Sequence, residues 1–165
     1  MSQQLTIYTD GAARGNPGPG GYGVILQWGK SYKELSQGFR LTTNNRMELM
    51  AVIAALKALT RTGLDIVVYT DSKYVMEAVE KGWLRNWLRT GFKGKKNSDL
   101  WRQYAEEARK HSIRFVWVKG HADNPMNNRC DVLATTAADS RNWLVDEGYE
   151  NGINNTGSDS ATLRF

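Results

Sequence analysis

Four acidic residues stand where a folded chain would have reason to gather them. Asp10 and Asp71 close the same tripeptide, Tyr8-Thr9-Asp10 and Tyr69-Thr70-Asp71, each at the end of a β-rich run. Glu48 interrupts an otherwise apolar stretch, and Asp131 sits beside an apolar stripe of Cys130, Leu133, Ala134 and Ala137. Ligand sites in open α/β sheets collect at the carboxyl ends of strands, and neighbouring strands lie about 4.8 Å apart. If the two runs are parallel neighbours, Asp10 and Asp71 crowd together, and their charges call for a cation or a proton between them. Hard oxygen ligands without a His or Cys cluster point to Mg²⁺ or Mn²⁺ rather than zinc. Each acid also has a structural alternative. Asp10 precedes a glycine, as turn-forming aspartates do; Asn45 and Glu48 have capping-box spacing; Asp71 and Asp131 suit helix N-termini. Four acids near buried elements together favour a shared counter-ion.

The second feature is a one-signed stretch. Residues 81–96 carry Lys81, Arg85, Arg89, Lys93, Lys95 and Lys96 and no acid. The chain has 22 basic and 17 acidic residues and a net charge of +5, so outside this window it is slightly acidic. Trp83, Trp87 and Phe92 interleave with the cations. Cations beside flat aromatic faces suit a polyanion with sugars or bases to pack against. The helical spacing of 83/87 and 84/88 equally lets Trp83, Trp87, Leu84 and Leu88 pack on the body. The charges favour the polyanion, because a structural face normally mixes signs.

These groups need a scaffold. At 165 residues the chain forms one domain with an adequate core. Its single cysteine, Cys130, excludes an intrachain disulfide, and no apolar run approaches the roughly 20 residues of a membrane span. The start has no signal-peptide pattern, so a reducing, cytoplasmic setting with no membrane association is expected. Residues 5–10 read as a strand, and 11–23, with six glycines and two prolines, as an irregular turn. Residues 22–28 and 32–40 read as a hairpin, 45–59 as a buried helix and 65–70 as a buried strand. A short helix opens at Ser72, followed by the basic segment, a helix over 98–110, a strand over 113–118 and a helix over 127–138. From Asn151 the chain is polar and reads as a tail. The expected fold is α/β: a mixed five-stranded sheet, an antiparallel meander plus parallel strands, flanked by helices.

The runs DGAARGNPGPGGYG, TTNNRMELMA around Glu48, YTDS around Asp71 and KGHADNPMNNRCD around His121 resemble type 1 ribonuclease H, the bacterial ribonuclease HI group, over roughly Leu5 to Glu150. The resemblance implies a ribonuclease H-like catalytic domain over 1–150, with a basic protrusion at 81–96 and a C-terminal tail at 151–165. It implies that Asp10, Glu48, Asp71 and Asp131 hold two Mg²⁺ ions, with Mn²⁺ as the alternative. His121 would shuttle a proton or assist product release. Asn16, Thr43 and Asn45 match positions that contact the hybrid, and Asn86 matches a phosphate-pocket residue. Lys73 stands where many relatives carry glutamine, and Leu41 where many carry arginine. With Lys73, the segment residues Trp83, Arg85, Trp87, Arg89, Lys93, Lys95 and Lys96 complete the expected nucleic-acid contacts. The implied activity is endonucleolytic, two-metal hydrolysis of the RNA strand of RNA/DNA hybrids by a monomer, leaving 5′-phosphate and 3′-hydroxyl ends. Two rivals differ in class. A non-catalytic binder would gain nothing from four acids near phosphates, and a DNA-cutting relative of the same fold would not need the TTNN run.

Overall fold

The computed structural model describes residues 4–119 and 124–157, with side chains described as far as Gly152. Three strands, β1 (Leu5–Ala13), β2 (Gly18–Trp28) and β3 (Ser31–Thr42), form the antiparallel meander. Helix α1 (Asn44–Lys57) leads to β4 (Asp65–Thr70), and α2 (Lys73–Glu80), α3 (Trp83–Thr90) and α4 (Ser98–Ala108) lead to β5 (Ser112–Trp117). Helix α5 (Pro125–Asp139), the short β6 (Trp143–Leu144) and α6 (Glu147–Gly157) follow. The sheet order is β5-β4-β1-β2-β3-β6, and β4 pairs parallel with both β1 and β5. The sheet therefore has six strands, not five. The extra strand pairs only two residues with Gly38 and Phe39, too few for any alternation to show in sequence.

The glycine run corrects a second expectation. Only Arg14–Pro17 is turn; the glycines on either side lie inside β1 and β2. They serve close packing. A Cβ on Gly11 would lie 2.4 Å from the Met47 backbone of α1, and one on Gly23 would lie 2.3 Å from the Cys130 carbonyl of α5. The two helices thus press on opposite faces of the same strands. Apolar side chains of the strands and of α1, including Ile7, Val24, Leu49, Val52, Ile66 and Val68, close the core together with Trp101 of α4.

Helix starts also move. Thr43 is the N-cap of α1, its hydroxyl accepting from the Arg46 amide, which puts Glu48 beyond the first turn and removes its capping role. Because α5 begins at Pro125, Asp131 lies in its second turn, away from the N-terminus. Ser72, not Asp71, caps α2. Helix α6 carries ordered backbone across the Asn151 boundary expected for a tail.

Candidate active site

Parallel pairing of β1 with β4 brings Tyr8 opposite Tyr69, and their rings stack with centroids 5.2 Å apart. Two residues further on, Asp10 and Asp71 leave the same end of the sheet. Gly11 lets α1 approach closely enough for Glu48 to join them. One carboxylate oxygen from each of Asp10, Glu48 and Asp71 lies within 4.8 Å of the others. Asp131, on α5, stands outside that group of three but still acts on Asp10 through its charge.

The electrostatics follow from this crowding. Burial first, then the charges of Asp71 and Asp131, push the Asp10 carboxyl up to about 8, although the Gly11 amide donates to its Oδ1 at 2.9 Å. Burial and the charges of Asp10 and Asp71 raise Glu48 well above its ordinary range. One of its oxygens, Oε1, is buried without a hydrogen-bond partner. Three crowded carboxyls and an orphaned oxygen make a donor set that fits divalent cations. Asp10 gives the apo protein a testable pH dependence. Its folded value, about 8, exceeds its ordinary 3.8, so the folded state holds a proton that the unfolded state releases. Stability is therefore lost as pH rises from about 4 toward 8. In EDTA, the melting temperature of the wild type relative to Asp10→Asn should fall between pH 5 and pH 8. A difference that stays constant with pH would contradict the burial of this charge.

The remaining predicted residues divide into two groups. Asn16, Thr43 and Asn45 line one groove of about 970 Å³ together with Lys95 and Lys96. The turn is tied to α1 by reciprocal bonds: Asn44 donates its amide to Asn16 Oδ1 and accepts from the Ala13 amide through its own Oδ1. The second group lies elsewhere. Trp83, Arg85, Asn86, Arg89 and Lys93 are exposed and none lines this groove; Asn86 is hydrogen-bonded to Arg89. Trp87 packs edge-on against Trp101 under Lys95, whereas Trp83 and Leu88 stay largely exposed, so only part of the aromatic stripe rests on the body. Leu41 is half-buried, and Arg40 is held by Glu150 in a bidentate ion pair. His121 lies outside the described residues. Cys130 is buried, its thiol pushed up by that burial, and acts as core filling.

Three contributors were missed in the sequence. Trp117 ends β5, donates to the Asp71 carbonyl at 3.4 Å and lies under Lys73; residues alternating along a strand gave no sign of it. Tyr149 of α6 lines the groove from a segment bordering the expected tail. Arg46, only 3% exposed at its side chain, bonds both Asp99 and Asp146, and also Asn97 next to Lys96. Its partners lie 53 and 100 positions away, beyond any local pattern.

Three carboxylates gathered past the last β1–β4 pair, on a chain that also carries a groove lined by Lys95 and Lys96, point to metal-dependent chemistry on a polyanion, carried by a mixed α/β sheet. The comparisons narrow the class. The RNase H family model matches residues 2–139. Ribonuclease H of Pectobacterium atrosepticum is 51% identical over 155 residues, covering 91% of this chain and 99% of that protein. Ribonuclease H of Idiomarina loihiensis is 48% identical over 153 residues, covering 90% and 96%. Among solved structures, LC9-RNase H1, a type 1 RNase H with the type 2 active-site motif, superposes with a TM-score of 0.77 at 29% identity, covering 99% of this chain and 87% of that one. LC11-RNase H1 in complex with an RNA/DNA hybrid gives 0.63 at 26% identity, covering 83% and 98%. The chain belongs to the RNase H family and is an endoribonuclease by that membership.

Proposed function

We propose that this enzyme hydrolyses the RNA strand of RNA/DNA hybrids at the centre formed by Asp10, Glu48, Asp71 and Asp131, with two Mg²⁺ ions as cofactors and 5′-phosphate and 3′-hydroxyl ends as products. The observation that carries the reading is the meeting of Asp10, Glu48 and Asp71 within 4.8 Å in a chain of this family. Bound there, divalent cations would acidify an attacking water and stabilise the departing 3′ oxygen. Asp10, inside β1 and 3% exposed, would hold the cations together with Glu48 and Asp71. Asp131 completes the set from α5, and His121 is assigned the proton or product step. Selectivity must come from contacts to 2′-hydroxyls, since phosphates carry no such information. Asn16, Asn45 and the backbone of the Arg14–Pro17 turn border the groove where those contacts would form. The basic segment and Lys73 grip the phosphates. We assign the enzyme a monomeric, cytoplasmic role; among the described residues no helix is long and apolar enough to cross a membrane.

Labelled RNA/DNA hybrid, duplex DNA and duplex RNA, each incubated with Mg²⁺ and with EDTA, test the assignment. Cleavage confined to the RNA of the hybrid, and abolished by EDTA, is expected. Binding without cleavage, or cleavage of duplex DNA, would overturn it.

The groove makes a separate prediction. Replacing Lys95 and Lys96 together with alanine should make the slope of log affinity against log salt shallower by about 0.7–0.9 for each phosphate no longer neutralised. Single-turnover rate at saturating hybrid should stay near wild type, because neither lysine belongs to the acidic group. An unchanged salt slope would make both a solvated face.

A further inference from the structure

We infer that Asn127 is a positioning residue: its side-chain amide spans the two aspartate-bearing strands and fixes the separation of the acids beyond them. The parallel β1–β4 register runs from Leu5 opposite Ile66 to Tyr8 opposite Tyr69 and goes no further. Asp10 and Asp71 therefore project just past the point where strand pairing ends. At that point Asn127 Nδ2 donates to the Thr9 carbonyl at 3.2 Å and to the Tyr69 carbonyl at 3.3 Å. One nitrogen with two hydrogens bridges both strands, one residue before Asp10 and two before Asp71.

The amide is itself held firmly. Asn127 is 2% exposed and lies in the first turn of α5, where its backbone amide donates to the capping side chain of Asn124. Glycines 21 and 23 seat the helix on the sheet, and the Cys130 thiol reaches the Tyr8 carbonyl. Asp131 follows Asn127 by four residues, on the same face of the helix. The helix that spaces Asp10 and Asp71 thus also presents Asp131, one turn further on. Asn127 Oδ1, by contrast, is buried without a hydrogen-bond partner. An apolar side chain of the same size would avoid that cost, so packing does not account for asparagine here. What asparagine supplies is the pair of donors.

This inference rests on the reading that the acids hold divalent cations, and its test separates the two. Full-length Asn127→Leu, which keeps the branched shape but has no donor, and Asn127→Ala are compared with the wild type. Mg²⁺ is titrated calorimetrically into each protein alone, and Mg²⁺-dependent cleavage is followed in single turnovers at saturating hybrid. Removing a group that orients metal ligands typically costs 10–100-fold. Both variants should bind Mg²⁺ about 10–100-fold more weakly and need correspondingly more of it for half-maximal cleavage. Hybrid affinity in EDTA should be unchanged, and both variants should unfold cooperatively, below the wild type but well above the assay temperature. Wild-type Mg²⁺ affinity and rate in Asn127→Leu would overturn the inference, as would a loss confined to hybrid binding or loss of the native fold in both variants. A wild type that binds Mg²⁺ but does not cleave the hybrid would instead overturn the proposed function.

Discussion

Asp10→Asn should cut cleavage in Mg²⁺ to less than a tenth of the wild-type rate while leaving hybrid binding close to unchanged. Asparagine keeps the shape of the side chain but removes its charge, and the group removed is the most enclosed of the acids that meet past the last β1–β4 pair. The groove proposed to bind the hybrid is lined by Asn16, Thr43, Asn45, Lys95 and Lys96, none of which the substitution touches. The same change should raise the melting temperature in EDTA, because burial and the charges of Asp71 and Asp131 oppose an ionised Asp10 when no cation is present. Added Mg²⁺ should then stabilise the wild type more than the variant. Cleavage above a tenth of the wild-type rate, or a lower apo melting temperature, would make Asp10 a structural residue.

Gly23→Ala should produce a large loss of stability from a single added carbon. The new Cβ would stand 2.3 Å from the Cys130 carbonyl and 2.7 Å from the Leu133 Cβ. A flexible neighbour could turn away, but helix backbone cannot without lifting α5 off the sheet. Ordinary overpacking costs about 1–3 kcal/mol and a collision with backbone belongs at or above its upper end. For a chain of this size that corresponds to a fall of roughly 6–12 °C in melting temperature. Alanine at Gly63, which has positive φ but open space around it, should cost far less. Thermal unfolding of the two variants side by side checks the claim, and equal losses would show that the close approach of α5 to Gly23 costs no more than a strained turn. Lifting α5 would also move Asp131 and Asn127, so Gly23→Ala should lose activity before it unfolds.

What could be read from the sequence was whatever repeated at a local period. Asp65–Thr70 showed as a continuous apolar run, α1 as an apolar stretch, and the matched endings at Asp10 and Asp71 led directly to their meeting at one sheet end. The basic window was visible because charge needs no partner to be counted. The rest depended on distant contacts. Glycines that admit a helix look the same in sequence as glycines that turn the chain, which is why β1 and β2 were cut short. Two-residue β6 exists only because Gly38 and Phe39 lie beside it. Glu48 looked like a capping residue until Thr43 proved to cap α1. Asn127 joins Thr9, 118 positions earlier, and no spacing rule connects them.

The buried Arg46 node also bears on how the protein is made. A ribosome releases the chain from its N-terminus, so Arg46 emerges about a hundred residues ahead of Asp146, the partner to which it bonds through Nε at 2.8 Å. A fold closed around Arg46 without that carboxylate would leave buried charge half-paired, which is strongly unfavourable. The contact joins the start of α1 to the residue before α6, and Asn97 beside the groove lysines hangs from the same guanidinium. The groove lined by Lys95 and Lys96 also takes Gly148, Tyr149 and Gly152 into its wall, so it is complete only after α6 has been made.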